Sequence, residues 1–206
     1  MTDRYQAVLL FGAPGAGKGT QGELLGKVPG YFHMSTGDMF RSLDKHSELG
    51  KVFHDYSSKG ELVPDEVTVA LWHQYVHAQA LLGIFKPVTE LLILDGIPRT
   101  EAQTSLMDQY IDVLGVIHLV AKDRDEMVKR LSRRAMLQKR VDDAREEVVR
   151  NRLDVYDRET KPVLDHYDPS IVHQINAIGS PGAVLGEILR VLAPIHEQRF
   201  PNCLEG

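Results

Sequence analysis

The chain passes directly from an apolar strand into a glycine-rich loop and then into a helix, and this junction constrains the fold more than any other feature. Ala7-Val8-Leu9-Leu10-Phe11 carries no polar residue, the pattern of a strand covered on both faces of a parallel sheet. Gly12-Ala13-Pro14-Gly15-Ala16-Gly17-Lys18-Gly19-Thr20 follows at once. Four glycines in nine residues lose much conformational entropy on folding, so the loop must gain something that only a bare backbone can supply. A plain turn, a dinucleotide-binding loop and a phosphate-cradling loop all compete. The dinucleotide fingerprint has a formal match in Gly17-Lys18-Gly19-Thr20-Gln21-Gly22, with Asp38 at about the expected distance. Its first glycine belongs immediately after the strand, however, and this match would set Gly22 inside the helix. Gly12 to Lys18 instead fits G-x-x-x-x-G-K directly after the strand. Its backbone N–H groups can wrap a phosphate chain at the positive end of the next helix, and Lys18 can reach the outer phosphates. The loop reads as a P-loop. It departs from the general pattern at Gly19, where a hydroxyl residue usually ligates magnesium; the hydroxyl comes one residue later, at Thr20.

The rest of the chain repeats the strand–helix alternation. Leu91 to Leu94 and Val113 to Val120 read as further buried strands, with shorter candidates at Tyr31 to Met34 and Ile171 to Ile175. Helical patterns span Gly19 to Lys27, Asp65 to Gln79, Thr100 to Tyr110, Arg124 to Leu131, Asp142 to Glu159 and Ala183 to Leu192. This alternation predicts an α/β fold, a parallel sheet with helices on both faces and ligands at the carboxyl ends of the strands. Two segments fit less well, helical Gly37 to Pro64 and the short basic stretch Arg133 to Val141, which is expected to be a loop. Both read as insertions able to move. The 206 residues suffice for one domain with a sizeable core. A net charge of −5 argues against a nucleic-acid or anionic-membrane partner. The single cysteine, Cys203, leaves no disulfide framework and no cysteine-based zinc site. With no signal-peptide pattern and no membrane-length apolar run, a cytoplasmic protein is expected.

Three further segments bring polar groups to the ligand edge. Ser35-Thr36-Gly37-Asp38-Met39-Phe40-Arg41 follows a short strand and opens a helix, where Ser35 or Thr36 can cap and Asp38 suits the dipole. Asp95-Gly96-Ile97-Pro98-Arg99-Thr100-Glu101-Ala102-Gln103 leaves a buried strand, and Arg99 and Gln103 stand i,i+4 on one helix face. Arg130, Arg134, Arg140, Asp142, Asp143 and Arg152 form a charged run that could equally be a solvated face.

Taken together with Lys59-Gly60-Glu61-Leu62-Val63-Pro64-Asp65-Glu66, these segments resemble the adenylate kinases, the loop matching GxPGxGKGT and the others matching S-T-G-D-M-x-R, K-G-x-L-V-P-D-E and D-G-[FYI]-P-R-x-x-x-Q. The resemblance runs through nearly the whole chain and departs mildly at Ile97. It implies a P-loop NTPase-like fold with a helical AMP-binding insertion at about 36–65 and a short lid at about 133–141. It implies transfer of the γ-phosphoryl of MgATP to AMP, ATP + AMP ⇌ 2 ADP. ATP would lie on Gly12, Ala13, Pro14, Gly15, Ala16, Gly17, Lys18, Gly19 and Thr20, with Arg130 and Arg134. AMP would lie on Thr36, Arg41, Leu62, Val63, Gly96, Arg99, Gln103, Arg140 and Arg152. Lys18, Arg99, Arg134, Arg140 and Arg152 would be catalytic, and Asp95 would hold Mg²⁺ through water. Arg150 competes with Arg152 because Ala144-Arg145 shifts the usual spacing. Thr36 and Thr100 favour AMP over CMP or UMP, although a kinase for another nucleoside monophosphate and an inactive nucleotide-binding regulator stay open. A zinc-stapled lid is absent, no zinc is expected, and a monomer acting on ATP, AMP and ADP is the simplest form.

The chemistry needs no general base. A phosphate monoester with a second pKa of about 6 is already largely deprotonated at neutral pH, and the chain offers no nucleophile–base pairing of its own. What two polyanions require is fixed positive charge, and arginine's planar fork suits phosphate oxygens. His73 and His77, spaced i,i+4, lack a third ligand and are read as structural. Trp72, Tyr75 and Val76 are read as core.

Overall fold

The computed structural model describes residues 4–121, 123–138 and 145–200. The apolar run before the loop forms β1 (Tyr5–Gly12), the middle strand of a five-stranded parallel sheet. Its neighbours are β3 (Leu91–Asp95) and β4 (Ile111–Val120), with β2 (Tyr31–Ser35) and β5 (Val172–Asn176) outside them. From β1 the chain crosses to the β2 side, returns to β3, and then passes to β4 on the opposite flank. A crevice opens where the connections diverge in this way, at the carboxyl ends of the central strands. Register sharpens that placement. Leu10 of β1 and Ser35 of β2 both stand beside Asp95, so the loop after β1, the carboxylate ending β3 and the hydroxyl ending β2 share one edge.

Period-two alternation divides the sheet's side chains between two layers. Ala7, Leu9, Phe11, Leu92 and Leu94 face Met39 and Phe40 of α2 (Thr36–Arg41) and Val69, Trp72 and Val76 of α4 (Asp65–Leu81). Val8, Leu10, Leu91, Ile93 and Ile117 face Leu25 of α1 (Lys18–Leu25) and Val184, Ile188 and Leu192 of α8 (Pro181–Arg199). Tyr75, expected in the core, is instead 38% exposed, because α4 buries Trp72 and Val76 and turns Tyr75 outward. His73 stacks on Tyr110 with ring centroids 4.0 Å apart. No group of three His, Cys, Asp or Glu able to hold a metal occurs among the described residues, and none of the described helices is long and apolar enough to cross a membrane.

Between β2 and α4 the chain forms α2 and α3 (Glu48–Lys59). Gly60, in the left-handed region at φ 75°, ends α3 with backbone bonds from Gly60 and Glu61 to Ser57 and Tyr56. Two other terminal carbonyls are satisfied from α7 (Glu146–Val155) and the residue before it. Arg145 Nη2 donates to the Ser58 oxygen at 2.8 Å, and Asn151 Nδ2 to that of Lys59 at 2.7 Å.

Two segments depart from the sequence reading. The stretch from 133, expected as a loop, continues α6 (Arg124–Gln138), since Arg-Arg-Ala-Met-Leu-Gln contains strong helix formers and no Gly or Pro stop. The helix expected to reach Glu159 ends as regular α-helix at Val155. Tyr156–Thr160 winds into a π turn and Lys161–His166 into a 3₁₀ turn, where Pro162 cannot supply an α-helical N–H. Arg140, Asp142, Asp143 and Cys203 lie outside the described residues.

Ile93 is wholly buried in the layer between the sheet and α1 and α8. Ile93→Ala is expected to destabilise the fold by about 2–5 kcal/mol, seen as a lower denaturation midpoint at unchanged slope in urea titration.

Candidate active site

The sheet's carboxyl edge opens into a cavity of about 560 Å³. One wall is the P-loop, with Gly12 and Pro14 through Thr20 lining it, whereas Ala13 faces a smaller cavity of about 220 Å³ on the far side. Gly15, at φ 87°, lies where a Cβ would come 2.9 Å from the Met127 carbonyl oxygen, so α6 packs directly on the bare loop. Helix α1 begins after Gly17 with no side-chain cap. Its first N–H groups are therefore available to a ligand at the positive end of the dipole. Lys18 folds back over the loop, its Nζ donating to the Gly12 oxygen at 2.5 Å and less closely to that of Ala13 at 3.4 Å. Burial lowers its pKa to about 8; Asp95 opposes that shift, and the charges of Arg99, Arg152 and Arg134 add to it.

Asp95 closes the floor. Burial works against its ionisation, but nearby His33, Lys18 and Arg99 outweigh burial and hold the carboxyl below its ordinary range. His33 Nε2 lies 3.9 Å from Asp95 Oδ2, an electrostatic contact rather than a hydrogen bond. The sequence reading gave His33 no role. It was hidden because its pairing depends on the β2–β3 register, which places Ser35 beside Asp95 and thereby sets His33 two residues back along the neighbouring strand. A Cβ on Gly19 would stand 3.8 Å from Asp95 Oδ2, so the residue after Lys18 faces this carboxylate.

The opposite wall comes from β2–α2 and from β3 with the helix that follows it, α5 (Glu101–Met107). Ser35, not Thr36, caps α2, accepting from the Asp38 N–H at 3.2 Å. Thr36 is buried and donates to the Gly96 oxygen at 2.9 Å, and Arg99 Nε donates to the same oxygen at 2.7 Å. Gly96 has φ 86°, and a Cβ there would meet Thr36 Oγ1 at 2.7 Å and Arg99 Nη2 at 2.8 Å. No larger residue leaves both side chains in place. Arg41 pairs with Asp38 at 2.6 Å. Leu62, Val63, Gly96, Arg99 and Gln103 complete this side of the lining. Gln103 lies on α5, capped by Thr100, whose hydroxyl accepts from the Gln103 N–H at 3.1 Å.

The roof comes from α6 and α7. Arg130, Arg134 and Arg152 line the cavity, with Arg130 also paired to Glu126 at 3.2 Å. Arg150 is turned away, its guanidinium 2.8 Å from Glu146 and 3.7 Å from Asp125. Those partners raise its pKa, the Glu146 hydrogen bond most of all. The cavity thus opposes the glycine-rich loop and Lys18 to a second basic wall, with the Asp95 carboxylate between them.

A sequence model of the adenylate kinase family, described as "Adenylate kinase", matches residues 10–172. Relatives of the same name include one from Kocuria rhizophila, 39% identical over 90% of this chain and 97% of its own length. One from Flavobacterium psychrophilum is 38% identical over 84% and 90%. Another, from Thermus thermophilus, is 36% identical over 92% and 98%. Extent and identity agree with the parallel sheet and the glycine-rich loop that follows its middle strand, and the chain belongs to the adenylate kinase family.

Proposed function

We propose that this phosphotransferase, which moves a phosphoryl group between ATP and AMP, uses the P-loop wall for ATP and the β2–α2 and β3–α5 wall for AMP. The observation that carries the reading is the cavity lining, which brings Lys18 of the P-loop together with Arg99, Arg134 and Arg152 from the other walls, near enough for their charges to lower its pKa. Such convergence of cations on one point suits a phosphoryl group in transit between two phosphates.

In this reading the uncapped N-terminus of α1 and Lys18 hold the ATP phosphate chain, with Arg130 and Arg134 above it. Arg41 and Arg99 hold the AMP phosphate, Leu62 and Val63 border its base, and Thr36 and Gln103 lie near the adenine. The attacking AMP oxygen is already deprotonated at neutral pH, so the chain's task is to align it and neutralise charge. Arg99 is braced for that by its bond to Gly96. Arg152 rather than Arg150 serves at the transferring group, supported by its place in the cavity lining. Arg140 is proposed to join it from the segment 133–141, acting as a lid, while 36–65 acts as the AMP-side insertion. Magnesium keeps much of its water and takes few protein carboxylates. An ionised Asp95 beside the P-loop is a fitting donor set for it, reached through water and left approachable by Gly19. When bound, Mg²⁺ supplies charge neutralisation at the β- and γ-phosphoryl oxygens. Action as a cytoplasmic monomer on free nucleotides completes the reading, and the net charge of −5 supports the absence of a nucleic-acid or anionic-membrane partner.

Coupled assays with AMP, CMP, UMP and GMP as acceptors test it directly. AMP is expected to be turned over far faster than the others, and no turnover with any of them overturns the reading. Arg99→Ala is expected to lower kcat/KM for AMP by about 10²–10³ while ATP affinity is largely kept. Collapse of ATP affinity in that variant reverses the assignment of the walls.

Lys18 carries a pH signature. A phosphate chain favours its protonated form, so below about pH 8 ATP binds without proton transfer to this group. Above it, binding must import a proton, and ATP affinity falls as pH rises. Calorimetry near pH 8 in buffers of different ionisation enthalpy is expected to show proton uptake that disappears in Lys18→Met.

A further inference from the structure

Gln103 is only 1% exposed although it lines the cavity, and its amide is held at both ends. Its Oε1 accepts from the Arg99 backbone N–H at 2.7 Å, and its Nε2 donates to Asp65 Oδ1 at 2.8 Å. A backbone N–H can only donate and a carboxylate can only accept, so the two partners dictate which end of the amide is oxygen and which is nitrogen. Asp65 does not line the cavity; it stands behind Gln103 in the first turn of α4. Its Oδ1 also accepts from the Thr100 hydroxyl at 2.9 Å. That commits the single hydroxyl hydrogen to Asp65 and leaves an oxygen lone pair for the Gln103 N–H at the start of α5. Every bond in this cluster has a fixed direction.

We propose that Asp65 is a specificity-determining positioning residue, selecting 6-aminopurine over 6-oxopurine monophosphates by holding the Gln103 amide in one sense. This rests on the reading of Gln103 as the adenine contact. With one N–H and one lone pair already engaged, Gln103 keeps one of each to offer a base, in a set order. Along the N1 and C6 edge, adenine presents an acceptor beside a donor, whereas hypoxanthine and guanine present a donor beside an acceptor. An amide that suits the first must be turned over to suit the second. Turning it over points its carbonyl at the Asp65 carboxylate and its NH₂ group at the Arg99 N–H. Two bonds in a nearly water-free place are then replaced by two repulsions. A site in which the wrong substrate leaves buried polar groups unpaired discriminates strongly.

The test compares kcat/KM for AMP and for IMP, which differ at this edge, with MgATP as donor. The parent is expected to prefer AMP. In Asp65→Ala the AMP:IMP ratio is expected to fall by about tenfold or more, with KM for ATP unchanged. Asp65→Asn, whose Oδ1 can still accept from Gln103 and Thr100, is expected to keep most of the ratio. Asp65→Ser, able to donate as well as accept, is expected to reproduce the fall and serves if Asp65→Ala does not fold. Equal losses for AMP and IMP in both the Ala and Ser variants overturn the proposal, since a purely structural role lowers both acceptors together. Gln103→Ala separates the layers. A parent-like ratio there overturns the adenine contact itself, whereas a collapsed ratio beside an unmoved one in Asp65→Ala overturns the role of Asp65 alone.

Discussion

The site is organised around one buried carboxylate among basic side chains. Asp95 ends the fully covered strand β3, where burial alone would push its carboxyl up. It stays ionised because His33, Lys18 and Arg99 surround it, and Lys18 in turn keeps part of its charge because Asp95 is there. Neither group is comfortable without the other in a low-dielectric setting. The strands' register makes their meeting unavoidable, since Leu10, Asp95 and Ser35 stand side by side. The loop after β1 therefore cannot form without arriving at the acid.

A polyanionic substrate resolves the remaining imbalance. In the free protein, Lys18 bears the positive charges of three arginines in addition to its own desolvation. Phosphate groups placed among them turn that mutual repulsion into attraction. Under the proposed function, the charge that burdens Lys18 is the charge that stabilises a bound phosphate chain, a form of electrostatic preorganisation.

Much of this could be read from residue order. The all-apolar strands fixed the sheet type, and the position of Gly12 directly after β1 decided between competing glycine fingerprints. The reach of α6 through Gln138 was misjudged because a basic run was taken as a sign of a loop, whereas charge says little about backbone when Ala, Met, Leu and Gln are present. Tyr75 stands three residues after Trp72 on the same side of α4, but the buried stripe runs through Val69, Trp72 and Val76 and leaves Tyr75 at its exposed margin. The choice between Arg152 and Arg150 lay beyond spacing. It depends on Glu146 and Asp125 drawing Arg150 outward. Asp65 was visible as part of a motif, but the direction of its bonds became legible only with Gln103 and Thr100 in three dimensions.

The end of α3 carries one more implication. Its last carbonyls are satisfied by Arg145, just before α7, and by Asn151 in the middle of that helix, and a Cβ on Gly60 would lie 2.9 Å from the Val148 oxygen. A helix end capped by a distant part of the chain cannot swing outward without exchanging those bonds for water. The segment beside the second wall and the helix that bears Arg152 are thus fastened like two leaves on a common pin. Displacing either one costs the bonds that tie it to the other, so under the proposed division of the walls the AMP side and the helix bearing Arg152 shift together or part with those bonds.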